Sequence, residues 1–415
     1  MFESGTIAHM KESEPRTKLP AAYWRLWWAS AVDNAGDGIF AAAVPLLTVT
    51  ITRDPVLVSV VSAATYLPWL LLSLPAGALV DRRERVGLLW RSQAAQAAIV
   101  AVGAAMIWLG RIDIAGLAVM GFALSACEVV FSNASLAVLP DLVSEAQLHR
   151  ANGSQYAIAN AGQLFVGPPI GSLLFAVAAA LPFGVDAASF AVSAVLLATL
   201  PRRRVPQVAQ PPIRVAAAEG VRWLGRHRLL RTLAGLLAVN TFCYQLGNVT
   251  VVLLATQILH VGERGYGVLL AGAAVGSVAG GMVNARLVAK IGALQALLTA
   301  LASNVVIFGL IGISPNAVVL GVLLGINGFA TTLWSVVTVS LRQQAVPTEL
   351  RGRVHSVYRM LGWGLMPLGS LAGGLVADVA GIRAAYPVAG AVRGIALAAA
   401  LPVLLSAMRA GKTSG

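Results

Sequence analysis

The chain has 415 residues, of which 58% are apolar and only 11% are charged, and its formal net charge is +13. A typical soluble domain carries about 25% charged residues, so this composition excludes a water-exposed globular fold. A large positive charge can indicate nucleic-acid binding, but here the Lys and Arg residues fall in short gaps between apolar runs. We therefore expect a membrane protein with no nucleic-acid partner.

Twelve apolar segments are each long enough to cross a bilayer as a helix, which takes about 20 residues. Numbered span 1 to span 12, they cover residues 24–51, 57–80, 88–110, 114–138, 152–180, 183–200, 230–258, 267–289, 293–313, 316–340, 354–378 and 384–407. Residues 1–22 are polar and contain no apolar stretch ending in a small-residue cleavage site, so we expect no cleaved signal peptide. The sequence predicts an all-α membrane protein with twelve transmembrane helices.

The basic residues are distributed unevenly between alternate loops. With the N-terminus inside, 25 of the 30 Lys and Arg residues lie on the cytoplasmic side. Arg53, Arg111, Arg264 and Arg383 lie on the other side, and Arg393 falls within span 12. Because cytoplasmic loops carry the excess of Lys and Arg, we expect a multi-pass protein of the cell (inner) membrane with both termini cytoplasmic.

Three landmarks recur along the chain at an offset of about 200 residues. They are Gly77 and Gly281, Pro140 and Pro347, and Pro168 and Pro367. The repetition predicts two pseudo-symmetric six-helix bundles with a substrate site at their interface, near the middle of the bilayer. The predicted divisions are an N-terminal tail (1–23), a first bundle (24–200), a central loop (201–229), a second bundle (230–407) and a C-terminal tail (408–415), with both tails and the loop cytoplasmic.

The central loop begins with Pro201 and three arginines. The residues from Val215 to Arg228 fit an amphipathic helix on an anionic leaflet, with Trp223 at the interface. A linker whose charge only sets the topology explains the same residues, and the two interpretations are compatible.

The turn after span 2, residues 77–85, reads GALVDRRER. It resembles the G-x-x-x-D-R-x-G-R signature of the major facilitator superfamily, with Glu84 where the second Gly is usual, and the resemblance extends over the whole chain. It implies the major facilitator fold, transport by alternating access, and a cytoplasmic gate at this turn. The gate residues are Gly77, Asp81, Arg82 and Arg85, with Arg359 near the cytoplasmic end of span 11 as a residue that either closes the gate or snorkels to the surface.

Within the superfamily the chain is similar to the drug-efflux branch that includes macrolide exporters and a siderophore exporter. The similarity rests on Gly36-Asp37-Gly38 in span 1, on residues 219–224 before span 7, and on Pro347 with residues 350–354 before span 11. Span 5 is similar to the antiporter motif of exporters, in which small residues allow close helix approach and prolines bend the helix, although core packing alone would also explain them. Its residues are Gly162, Gly167, Pro168 and Gly171.

Many proton antiporters of the superfamily carry an Arg in span 4, but residues 114–138 contain no basic residue. Glu128 stands in the middle of this span, and Asp33 and Asp37 lie on one face of span 1 beside Asn34. An ionised carboxylate at this depth costs about 2.5–3.5 kcal/mol, so such a group faces a cavity or stays protonated. We hypothesise that these residues bind a proton or a cationic substrate in competition, as antiport requires. A purely structural role is the alternative.

Other polar or aromatic residues within the spans are candidates for a substrate pocket, although bridging between helices explains intramembrane amides more often. They are Gln163, Asn240, Gln245, Asn248, Asn327 and Trp334. Arg393 within span 12 requires a partner, for which Asp378 and Asp186 are candidates.

The sequence contains no nucleotide-binding loop, no catalytic set of Ser, His and Asp at membrane depth, and no metal-ligand spacing, so we expect neither an enzyme nor a cofactor or metal site. The combined features predict a monomeric secondary transporter in the lipid bilayer, a proton-coupled antiporter that exports lipophilic drugs or similar small molecules. A proton-linked importer or a siderophore or metabolite exporter is the alternative, and a channel or scramblase is less favoured.

Overall fold

The computed structural model describes residues 18–202, 213–347 and 350–413, and this part of the chain is helical without strands. Two π-helical turns, Ala161–Val166 and Leu254–Ile258, and a short 3-10 turn, Ile382–Ala384, interrupt or join the helices. The α-helices are α1 Ala21–Ile51, α2 Pro55–Arg82, α3 Arg85–Trp108, α4 Ile114–Leu142, α5 Glu145–Asn160, α6 Gly167–Val177, α7 Leu181–Ala198, α8 Ile213–Arg226, α9 Arg228–Leu253, α10 Glu263–Ile291, α11 Ala293–Gly312, α12 Ala317–Ala345, α13 Arg351–Gly364, α14 Met366–Ala380 and α15 Ala385–Thr413.

Eleven helical segments of the described residues are long and apolar enough to cross a membrane. In this count α5 and α6 form one segment through the first π-turn, and α13 and α14 form another. The twelfth span is α3, which is less apolar because it carries Arg91, Gln93 and Gln96. The predicted number of twelve spans is therefore confirmed. Several helices run past the predicted apolar limits, as α4 does to Leu142, because polar turns continue the backbone hydrogen bonds beyond the apolar stretch.

The same packing scheme occurs twice along the chain. In the first half α1 packs on α6 and α7, α2 packs on α4, and α3 packs on α4 and α7. In the second half α9 packs on α14 and α15, α10 packs on α12, and α11 packs on α12 and α15. The repetition confirms the prediction of two pseudo-symmetric helical bundles.

The two halves meet along two seams, one between α2 and α14 and one between α6 and α10. Small residues line both. A Cβ added to Gly374 would lie 2.7 Å from the carbonyl oxygen of Pro55, and one added to Gly267 would lie 2.7 Å from the Cβ of Ser172. The helices therefore approach closely at each seam without interlocking large side chains.

The apolar cores differ between the two ends of the bundle. At the end where α1 and α9 finish, one continuous cluster joins the halves and includes Phe40, Phe183, Phe308 and Tyr386. At the end where α1 and α9 begin, each half has a cluster of its own. The halves thus share an apolar core at the first end and have separate apolar cores at the second.

Helix α8 occupies the position of the predicted amphipathic helix, while residues 203–212 of the central loop lie outside the described part. Glu219 of α8 forms an ion pair with Arg353 of α13. A Cβ added to Gly220 would lie 2.9 Å from the carbonyl oxygen of Arg353. Helix α8 is therefore held against the second half by direct contacts, in addition to any contact with lipid.

Candidate functional site

A buried hydrogen bond joins the predicted acid of α1 to α3. The amide Nε2 of Gln93 donates to Oδ1 of Asp33 at 2.7 Å. Gln93 has no exposed surface, and Asp33 is 2% exposed. A carboxyl group buried among helices needs such a partner, because an unpaired polar group in an apolar medium is costly.

The other two predicted acids have similar amide partners. Gln96, one helical turn after Gln93, donates from Nε2 to Oε2 of Glu128 at 3.2 Å. Gln163, in the first π-turn, donates from Nε2 to Oδ2 of Asp37 at 3.3 Å. Helix α3 thus contributes two neutral amides and the first π-turn contributes a third, so that the two acids of α1 and the acid of α4 each have an amide partner.

A fourth acid, Asp186 of α7, belongs to the same group and was not predicted as part of it. It is fully buried, and its side chain accepts a hydrogen bond from the Ser189 hydroxyl at 3.4 Å. Gly36 allows this close approach, because a Cβ there would overlap the Ser189 and Asp186 side chains. Asp186 lies close enough to Asp33 and Asp37 to interact with them electrostatically.

The acid cluster, defined as Asp33, Asp37, Glu128 and Asp186, has no basic partner among the described residues, and the ion pairs Arg85–Asp141 and Arg353–Glu219 lie elsewhere. Three acceptor atoms of this region have no hydrogen-bond partner: Oε1 of Gln93, Oε1 of Gln96 and Oδ2 of Asp186. The network therefore has more acceptors than hydrogens. Added protons or a cation would correct that imbalance. The described residues offer no group of His, Cys, Asp and Glu arranged to hold a metal ion.

The glycines predicted in span 5 bring it against α1. A Cβ on Gly162 would lie 2.8 Å from the backbone nitrogen of Ala35, and one on Gly167 would lie 2.6 Å from the carbonyl carbon of Gly38. Gly171 packs with similar closeness against the Ile39 backbone. The π-turn before Pro168 adds a residue to the helical turn, which places Gln163 towards Asp37. Asn34 donates within its own helix, to the carbonyl oxygen of Ser30, and is not bonded to an acid.

The turn after α2 is fixed by two charged residues, Glu84 and Arg85, at the start of α3. Glu84 caps α3 by accepting from the backbone N–H groups of Val86 and Gly87 at 2.9 and 2.8 Å, which explains an acid in place of glycine. Arg85 donates to Asp141 at 2.9 Å and joins α3 to α4. Arg82 is exposed, and the side chain of Asp81 lies outside the described part. Gly77 is not required sterically, since a Cβ there would meet nothing within 4 Å.

Arg359 crosses between the halves. Its Nη2 donates to Oδ1 of Asn133 at 2.9 Å, linking α13 to α4. The site predicted as a gate thus has one residue that bridges the two halves, on the side where their apolar cores are separate.

An aromatic cluster made of Tyr66, Trp69 and Trp363 also spans the halves. Trp69 of α2 stacks on Trp363 of α13 with ring centroids 4.8 Å apart, and Tyr66 lies 6.5 Å from the same ring. The predicted aromatic residue Trp334 is instead 2% exposed and packs inside the apolar cluster of the second half. Trp334 is therefore a core residue of the second half and does not line a pocket, contrary to the prediction.

The remaining residues of the predicted pocket are not brought together. Gln245 of α9 donates to the Ser62 hydroxyl of α2 at 2.8 Å and so joins the two halves. Asn327 donates to Asn304 at 3.0 Å within the second half. Asn240 lies beside Arg393, whose Nη2 donates to the Asn240 carbonyl oxygen at 3.0 Å. Asn248 is half-buried in α9. The side chains of Gln245 and Asn327 therefore join helices.

Asp378 and Asp186 are not partners of Arg393. Asp186 lies in the acid cluster of the first half, and the described residues contain no ion pair between Arg393 and a carboxylate. The guanidinium instead lies 3.7 Å from the centroid of the Phe308 ring.

Comparison with known families gives one match over nearly the whole chain. The sequence profile of the family described as transmembrane secretion effector matches residues 19–414.

Individual relatives and structures agree with that match. The chain is 29% identical to the multidrug efflux pump Tap of Mycolicibacterium fortuitum over 392 residues, covering 91% of this chain and 92% of the relative. It is 28% identical to the pump of the same name from Mycobacterium tuberculosis (strain ATCC 25618 / H37Rv), covering 92% and 90% of the two chains. The crystal structure of the nucleoside transporter NupG aligns with a TM-score of 0.71 at 11% identity, covering 92% of this chain and 99% of that one, which shows the fold alone.

Proposed function

Because the chain belongs to the transmembrane secretion effector family of the major facilitator superfamily, we propose that it is a proton-coupled antiporter that exports lipophilic drugs or similar small molecules by alternating access. Transport itself follows from the family, so the chain is a multi-pass membrane transporter and not an enzyme. Coupling to protons, the direction of transport and the substrate class are our proposals.

The acid cluster carries the proposal of proton coupling. Its members have amide and hydroxyl partners and no basic partner in the described part of the chain. An ionised carboxylate within the membrane costs about 2.5–3.5 kcal/mol, and a bound proton or a cationic substrate removes that cost. Proton and substrate would therefore occupy the same site in turn, and this exclusion couples their movements.

The members of the acid cluster and their partners differ in solvent exposure. Asp33 is buried, Asp37 is half-buried and its partner Gln163 is exposed. We assign Asp37 as the acid that meets the substrate first and Asp33 as the inner proton site, with Glu128 between α3 and α4 as the third carrier. Asn34 has no direct part in this assignment.

The end of the bundle where α1 and α9 begin is the proposed open side. The halves share no apolar cluster there, whereas they share one at the other end. With both termini cytoplasmic, as the distribution of basic residues predicts, this arrangement is an inward-facing state that takes substrate from the cytoplasm or the inner leaflet. Arg359 and Asn133 are the proposed gate residues on that side. We place the protein in the cell membrane as a monomer.

The aromatic cluster supports a lipophilic substrate. Tyr66, Trp69 and Trp363 belong to both halves, and Trp69 lies midway along α2. Aromatic faces attract lipophilic cations, and an acid nearby would complete the recognition of positive charge. The relatives named multidrug efflux pumps are consistent with such a substrate class.

The decisive experiment uses proteoliposomes with an imposed pH gradient. We expect Asp37→Asn and Glu128→Gln each to abolish gradient-driven transport of a fluorescent lipophilic cation. Glu263→Gln is the matched control, because Glu263 is an exposed carboxylate in the first turn of α10. Undiminished gradient-driven flux in both site variants would refute proton coupling by this cluster. Everted vesicles that fail to accumulate the dye on energisation, when right-side-out vesicles do so, would identify an importer instead.

A further inference from the structure

We propose that the second half contains a buried binding site for a small monovalent anion, of the halide class, formed by Arg393 and Asn304. This site lies apart from the acid cluster and does not depend on the function proposed above. Arg393 is 7% exposed, yet its Nε and Nη1 atoms have no hydrogen-bond partner. Two donors of a buried cation are therefore unused.

A small cavity opens beside these unused donors. It is lined by Leu236, Val239, Asn240, Leu301, Asn304, Arg393 and Ala396, on α9, α11 and α15. The Nδ2 of Asn304 faces the same cavity region without a partner, because Asn304 engages Asn327 only through its carbonyl oxygen. The three unused N–H donor atoms outnumber the one unpaired acceptor atom of the lining, Oδ1 of Asn240, and the other walls are apolar, so the site suits an acceptor with negative charge.

The charge of Arg393 is the reason to prefer an anion over water. Buried charges in proteins are normally paired, and the described residues place no carboxylate at ion-pair distance from this guanidinium. Its neighbours are the Asn240 carbonyl oxygen, the Phe308 ring and the neutral side chains of Cys243, Tyr244 and Tyr386. These groups solvate the cation without balancing it. A water molecule would satisfy the donors and leave the charge uncompensated.

Position and size limit the ligand. Arg393 lies eight residues from the start of α15 and Asn304 lies eight residues from the end of α11, so both are about 12 Å inside the bundle from the same end. Lipid phosphates lie outside the hydrocarbon at the ends of the spans. The cavity has room for one water-sized particle. Among anions the halides come nearest to both limits: chloride is larger than water, so the side chains that line the cavity must move slightly to admit it, whereas a headgroup or a larger organic acid is excluded.

The test measures anion-dependent stability of the purified full-length protein in detergent. Chloride is titrated against gluconate at constant ionic strength, and the melting temperature is recorded. For the wild-type chain we expect a saturable rise of about 2–4 °C, because a ligand that binds only the folded state stabilises it. In Arg393→Gln this rise should disappear, and in Asn304→Ala it should require a higher chloride concentration.

Arg383→Gln is the matched control, because Arg383 precedes the same helix but donates to the carbonyl oxygens of Gly312 and Ser314 outside the cavity. This variant should keep the full response to chloride. Should Arg393→Gln fail to fold, crystals of the wild-type protein soaked in bromide provide the second measurement, with an anomalous peak expected beside Arg393 and Asn304. A chloride-independent melting temperature in the wild type, an equal response in folded Arg393→Gln, or no bromide peak would each overturn the proposal.

Discussion

Gln93 and Asp33 are joined by a hydrogen bond of 2.7 Å in which both side chains are almost fully buried. The bond ties α3 to α1 at the inner end of the acid cluster. Since Gln93 is neutral, it can stay in place whether Asp33 carries a proton or not. An arginine in its place would hold the acid permanently ionised.

Gln93→Leu should therefore slow proton-driven transport while leaving the fold intact. A hydrogen bond to a charged group contributes about 1.5–3 kcal/mol, so we expect a decrease of roughly 10- to 100-fold in flux driven by a pH gradient. Gln343→Leu is the control, because Gln343 is exposed near the end of α12. Equal flux in Gln93→Leu and wild type would show that this bond has no part in transport.

Gly167→Ala should destabilise the protein strongly, because the new methyl group would meet the Gly38 backbone at 2.6 Å. Overpacking of this kind costs about 1–3 kcal/mol, and a backbone neighbour cannot turn aside as a side chain can. Gly184→Ala in α7 should be neutral or slightly stabilising, since its added Cβ would meet nothing within 4 Å. Thermal unfolding of both variants in the same detergent compares them directly. Equal melting temperatures would contradict the close packing of α1 on α6.

Arg359 and Asn133 should act as a pair. If their hydrogen bond joins the halves on the open side, Arg359→Gln and Asn133→Ala each weaken the same contact, and the double variant should be no worse than the more damaging single variant. The measurement is the initial rate of transport for the four chains of this cycle. Additive effects would mean that the two residues act separately, as expected if Arg359 only snorkels to the membrane surface.

Trp363→Ala should raise the KM for lipophilic cations by about 10-fold, because stacking and cation–π contacts are each worth roughly 1 kcal/mol or more. Trp69→Ala should have a similar effect, since the two rings stack on each other. Trp108→Ala serves as the control, because Trp108 is 78% exposed at the end of α3. An unchanged KM for every cation tested would exclude the aromatic cluster as a substrate surface.

The sequence was sufficient for the architecture because a membrane restricts the choices. Each span needs about 20 apolar residues and must satisfy its own backbone, so apolar runs identify helices directly. The repeat offset then predicted the two bundles. Even α3, the least apolar span, is identified in this way, although its glutamines lower its apolar character.

The candidate site was predicted only in part. Three acids of the cluster were identified because ionisable residues within spans are conspicuous, but their amide partners were not. Gln93 and Gln96 lie one turn apart in an otherwise apolar helix, and that spacing was the available signal. Asp186 was considered only as a partner for Arg393. The packing of α7 against α1, which decides the question, is a tertiary contact that no local pattern encodes.

Trp363 and Trp334 illustrate the same difference. Both are large aromatic residues in predicted spans. Trp363 is 39% exposed and stacks on Trp69 of α2, whereas Trp334 is 2% exposed in the core of the second half. Which face of a helix meets the other half depends on how each bundle packs. The identity of the residue does not reveal that direction.

The small residues along the α2–α14 and α6–α10 seams have a mechanical consequence. Where glycine faces serine or a backbone oxygen, few side chains must change rotamer when one bundle tilts against the other. One bundle can then tilt against the other as a rigid body, and the activation barrier for this tilt is low. The turnover rate would then be set by the release of ions and substrate from their sites. A bulky residue placed in either seam would slow the tilt and lower that rate.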